Sequence, residues 1–73
     1  MKLRLELERE DDGRWVAELM GLPGVMAYGD TEEAASMAAL ALALRVIAEK
    51  IEHGELRAPA GSDASLDLPL VPA

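Results

Sequence analysis

Any chemistry in this chain must begin from a short inventory. There is one histidine, His53, and there are three serines, Ser36, Ser62 and Ser65; cysteine is absent. Two pairs of adjacent acids, Asp11-Asp12 and Glu32-Glu33, complete the candidates. His53 follows Glu49 by one helical turn, so the two side chains could meet. A general base needs a second organised partner, and the sequence supplies none. His53 therefore reads as a solvated cation near the C-terminal end of a helix. The serines lack the Gly-x-Ser-x-Gly setting of an activated nucleophile. The acid pairs are explained by turn chemistry and by helix-start electrostatics, and neither has the spacing of a calcium or zinc site. Gly21, Gly24 and Gly29 do not form a phosphate-binding loop. The expectation is a protein without catalytic residues, metal or cofactor, and not an enzyme.

The elements that would carry these residues are more legible. Residues 1–8 alternate without a fault: Met1, Leu3, Leu5 and Leu7 against Lys2, Arg4, Glu6 and Glu8. Period two means a strand with one buried face. Trp15, Ala17 and Leu19 alternate in the same way with Arg14, Val16, Glu18 and Met20. A two-residue loop at Asp12-Gly13 would set Leu7 opposite Glu18 and mix the faces. A three-residue loop, Asp11 to Gly13, sets Leu7 opposite Ala17, Leu5 opposite Leu19 and Glu10 opposite Arg14, a favourable pair. Gly13 then takes the left-handed region. Leu22-Pro23-Gly24 reads as a second turn, with Gly24 at the position of a type II turn that needs positive φ. Val25 to Tyr28 is a short third strand, closed by Gly29.

Asp30 or Thr31 caps a long helix running to about His53, with Gly54 beyond its end. Projected at about 100° per residue, Met37, Leu40, Leu44, Ile47 and Ile51 form one stripe, taken as the face against the sheet. Ala35, Ala39, Leu42 and Val46 form a second apolar stripe on nearly the opposite side. A helix apolar on two sides is buried on two sides, so the second stripe is expected to be an oligomer interface. After Gly54 the chain loosens, and Leu66, Leu68 and Leu70 alternate as a weak fourth strand interrupted by Pro69. The fold class expected is α+β, in the order β-β-β-α-β. Residues 1–56 form the core; residues 57–73 are a loop and C-terminal strand of the same domain.

Composition bounds the rest. The chain has 73 residues, enough for one small domain, and such a chain buries only about 60% of its unfolded surface. With no disulfide to staple it, self-association into a dimer or higher oligomer is expected. Hydrophobic residues make up 51% and aromatics 3%, and Asn and Gln are absent, as in thermophile-like compositions. The net charge of −7 repels a phosphate backbone, and no basic run or nucleic-acid motif is present. Direct nucleic-acid binding is not expected, whereas an acidic surface suits a basic protein. The N-terminus lacks a signal-peptide layout, and Ala34 to Ala48 is too short and interrupted for a membrane span. A cytoplasmic location is the default.

Several short motifs stand in a specific order: Gly13-Arg14-Trp15-Val16-Ala17-Glu18, Leu22-Pro23-Gly24-Val25, Gly29-Asp30-Thr31 and Glu33-Ala34-Ala35. Together they resemble the HicB-like antitoxin family over about residues 1–56. The resemblance implies a three-stranded meander, a helix and a fourth strand, a partial ribonuclease-H-like fold without its catalytic acids. It also implies a partner, the small basic ribonuclease toxin HicA. Met20-Gly21 stand where the family often has Pro, and Ala34 stands where it often has the Glu of a capping box. The C-terminal DNA-binding module of many members has no counterpart in these residues, so operator binding is not implied. On this reading the acids expected to face the toxin are Glu6, Glu8, Glu18, Glu49 and Glu52. The alternative is an orphan homo-oligomeric interaction domain with no toxin partner.

Overall fold

The computed structural model describes residues 3–61 and 68–73. Three strands, β1 (Arg4–Arg9), β2 (Trp15–Met20) and β3 (Met26–Gly29), precede one helix, α1 (Glu32–Glu52). The strands form an antiparallel sheet in the order β1-β2-β3, and α1 covers one of its faces. The arrangement is α+β. Among the described residues no fourth strand is present: Leu66 lies outside them, and Leu68 and Leu70 are not in a strand.

The first hairpin has the register that its alternation demands. Leu5 pairs with Leu19, Leu7 with Ala17 and Arg9 with Trp15. The Glu10 N–H donates to the Arg14 carbonyl at 2.7 Å, and the Gly13 N–H donates to the Glu10 carbonyl at 2.9 Å. Gly13 sits at φ +91°, which few side-chain-bearing residues adopt. The three-residue turn is thus as read from the sequence. In the second turn the Val25 N–H donates to the Leu22 carbonyl at 3.3 Å. Both flanking residues, Leu22 and Val25, are buried in the core. The third strand starts and ends one residue later than expected, because Val25 closes this turn and Gly29 still pairs with Trp15.

Thr31 is the N-cap of α1, its Oγ1 accepting from the Ala34 N–H at 3.0 Å. Half of the capping-box arrangement thus survives without the acidic partner. His53 is the C-cap. The Gly54 N–H donates to the Ile51 carbonyl at 3.1 Å and the Glu55 N–H to the Lys50 carbonyl at 2.8 Å. With Gly54 at φ +75°, this is the paired-bond ending that satisfies the last carbonyls of a helix.

The face of α1 that meets the sheet differs from expectation. Ala35, Ala39 and Ala43 are buried, with Leu40, against Ala17, Leu19, Leu22 and Val25. Leu42 and Val46, half-buried, pack against the same cluster. Ala35, Ala39, Leu42 and Val46 therefore belong to the core and are not an outward interface. Met37, Leu44 and Ile51, expected inside, are 59%, 42% and 56% exposed. Only Leu40 and Ile47 of the expected core stripe reach the core.

The reason is local. Two residues, Asp30 and Thr31, connect β3 to α1, so the first helical turn must lie directly on the end of β3. A Cβ at Gly29 would meet the Ala34 Cβ at 2.9 Å and would also collide with the Ala35 backbone nitrogen. At so close an approach only small side chains fit beneath the helix. Ala35, Ala39 and Ala43 turn inward and Met37, Leu44 and Ile51 turn out, while Leu40, Leu42, Val46 and Ile47 reach the core from the flanks.

Candidate functional site

The face of the sheet that α1 leaves uncovered gathers the acids of the first two strands. Strand alternation turns Glu6, Glu8 and Glu18 away from the helix, and β1–β2 pairing sets Glu6 directly opposite Glu18. Like charges in directly opposed positions destabilise a sheet. Glu8 is opposite Val16, and Val16 is opposite Tyr28 on the far side. Glu6, Glu8, Glu10 and Glu18 line a depression of about 200 Å³ together with Val16, Met26 and Tyr28. Val16 is only 9% exposed although no helix covers it; its neighbours on the sheet enclose it. Met26 and Tyr28 remain 45% and 47% exposed.

Among the described residues the cations near this face, Arg4 and Arg14, are already engaged. Arg4 Nη2 lies 2.9 Å from Glu6 Oε1. The Arg14 guanidinium lies 4.8 Å from the centre of the Tyr28 ring, and its Nε donates to Asp12 Oδ2 at 2.8 Å. The Arg14 backbone N–H also donates to Asp12 Oδ1 at 3.0 Å. That bond is the main reason the Asp12 carboxyl is held below its ordinary range, with the Arg14 side chain adding to it. Among the described residues no cation pairs with Glu8, Glu10 or Glu18.

This arrangement suits one kind of guest. A lysine or arginine side chain could lay its methylene stem on the exposed Met26 and Tyr28 while its head meets the carboxylates. Among the described residues no three side chains of His, Cys, Asp or Glu are grouped to hold a metal ion.

The acids expected to act together separate into two sets. Glu6, Glu8 and Glu18 share the open sheet face, whereas Glu49 and Glu52 lie on α1, in the layer behind the opposite face. Glu10 is the member that the expectation omitted. Its signal was present: the run Glu6-Glu8-Glu10 keeps period two, and the pairing of Glu10 with Arg14 extends the same face by one step.

The remaining candidates disperse. His53 is exposed at the end of α1 and Ser36 is half-buried within it. Ser62 and Ser65 lie outside the described residues. Asp12 serves the first turn, and Glu32 and Glu33 occupy the first turn of α1. Trp15 is half-buried on the core side with the Arg9 guanidinium 6.0 Å from its ring. Among the described residues no helix is long and apolar enough to cross a membrane. No protein-family model, curated protein or solved structure matches the chain.

Proposed function

We propose that the chain is a non-catalytic, antitoxin-type binding module that holds a small basic ribonuclease toxin on the open face of its sheet. The observation that carries this reading is the concentration of Glu6, Glu8, Glu10 and Glu18 around Val16, Met26 and Tyr28. Opposing Glu6 to Glu18 costs stability in the free protein, and a basic partner would relieve that cost. The identity of the partner as a HicA-like toxin comes from the resemblance of about residues 1–56 to HicB-like antitoxins. A fourth strand from the C-terminal segment, completing a partial ribonuclease-H-like sheet, belongs to the same reading.

The test is calorimetric titration, at low salt, with the small basic double-stranded-RNA-binding-like protein encoded by an adjacent gene. A complex that weakens steeply as salt is raised is expected. Glu6→Lys combined with Glu18→Lys should abolish it, while Glu49→Lys combined with Glu52→Lys should leave it intact. If no adjacent gene encodes such a protein, or if no heat is seen with it, the orphan-domain alternative takes its place.

A further inference from the structure

Strand β1 pairs with β2 on one side only, and its other edge is open. The bond from the Glu10 N–H to the Arg14 carbonyl fixes the phase of the hairpin, so Glu6 and Glu8 turn their backbone groups towards β2. Leu5, Leu7 and Arg9 turn theirs outward. Among the described residues no group bonds to these outward N–H and C=O groups. The helix lies over β2 and β3 and scarcely reaches β1. Leu7, on the helix side and opposite the buried Ala17, is therefore 40% exposed.

The charges along this strand are antisymmetric about Leu5. Arg4 precedes it and Glu6 follows; one step further out, Lys2 precedes and Glu8 follows. Lys2 itself lies outside the described residues. An antiparallel copy of the strand centred on Leu5 sets Arg4 against Glu6 on both sides of the centre, with Leu3 against Leu7 and Leu5 against itself. Opposite charges and apolar pairs at facing positions both favour a sheet. The outward N–H and C=O of Leu5 match those of its own copy, so the two residues exchange both bonds. Neighbouring registers fail. A centre at residue 4 opposes Arg4 to itself, and a centre at residue 6 opposes Glu6 to itself. The half-steps between them set leucine against charge and mix the faces.

We propose that the open edge of β1 is a two-fold interface with a second copy of this chain, the two β1 strands pairing antiparallel about Leu5 to make one continuous sheet. Charge complementarity names the occupant. Charges on an edge strand commonly discourage association; here their order admits one pairing and rejects its neighbours. Arg4, whose Nη2 lies 2.9 Å from Glu6 Oε1 of its own strand, gains the Glu6 of the copy as a second partner. The pairing does not rest on the toxin reading, because Glu10 and Glu18 take no part in it and the open sheet face stays uncovered.

The experiment is charge reversal with rescue, read by sedimentation equilibrium of the full chain at micromolar concentration and physiological ionic strength. The unmodified protein should show twice the chain mass. Arg4→Glu and Glu6→Arg each oppose like charges on both sides of the centre, and each alone should weaken the dimer about tenfold. Mixing these two variants, or combining both changes in one chain, restores opposite charges and should restore the dimer. A single chain mass for the unmodified protein overturns the proposal, and so does a dimer that neither reversal weakens or that the combination does not rescue. Amide hydrogen exchange on the unmodified protein decides the matter if a variant loses its far-ultraviolet circular dichroism. The Leu5 and Leu7 amides should gain protection as protein concentration rises. Protection of those amides that is independent of concentration would mean that the chain's own C-terminal segment covers the edge, and it too overturns the proposal.

Discussion

Glu6 and Glu18 oppose one another across the β1–β2 pair, on the face that the helix leaves open. A sheet optimised only for stability would place opposite charges there. Arg4 compensates on one side, 2.9 Å from Glu6, but it does not reach Glu18 within ion-pair distance.

Glu18→Lys should therefore stabilise the protein. Replacing a like-charge pair by an opposite-charge pair at exposed cross-strand positions is worth about 0.5–1 kcal/mol. The urea midpoint at low salt should rise, and the gain should shrink as salt screens the pair. An unchanged or lower midpoint at low salt would show that the opposition carries no cost. The same substitution should weaken binding of a basic partner, which separates stability from function at one residue.

Asp12 gives a pH dependence whose sign can be worked out. Its carboxyl is held below the ordinary value of 3.8, first by the Arg14 backbone N–H and then by the Arg14 side chain. A carboxyl depressed in the folded state contributes stability above its unfolded pKa and loses it as pH falls through the folded value. Asp12→Asn cannot titrate. The difference in urea midpoint between the two proteins should be constant near neutrality and should shrink below about pH 4. A difference that stays constant through about pH 3 would contradict the assignment.

Two glycines should resist substitution for different reasons. Gly29→Ala places a methyl 2.9 Å from the Ala34 Cβ, so the helix must lift from the sheet. Overpacking of this kind costs about 1–3 kcal/mol. Gly13 has open space around it, with only the far end of Arg9 at 3.9 Å, but it sits at φ +91°. Gly13→Val should then cost on the order of 1–3 kcal/mol through backbone strain alone. Thermal midpoints check both, and an unperturbed Gly29→Ala variant would mean that α1 is seated less closely than described.

The hairpin was legible because two independent signals agreed. Parity placed Leu5 and Leu7 opposite Leu19 and Ala17, and charge placed Glu10 opposite Arg14. The helix ends were legible because caps are local: Thr31 before the first turn, Gly54 after the last. The orientation of the helix was not. Apolar residues surround its middle turns, so periodicity offers two faces and cannot rank them. The choice between them is made by the two-residue link from β3 and by the absence of a side chain at Gly29, which only the three-dimensional contact reveals. For the same reason the acids of the sheet were found by alternation, whereas Glu49 and Glu52 were grouped with them on charge alone. Charge carries no information about which layer a residue occupies.

The strand order β1-β2-β3 also has a consequence in time. Each strand pairs with its neighbour in the chain, closing only over residues 10–14 and 21–25. Short closures forfeit little chain entropy, and folds made of such closures cross their barriers quickly. Seating α1 over Gly29 is the one contact that neither hairpin closure supplies, so a side chain added at that glycine acts on the docking of the helix and leaves both hairpin closures as they are.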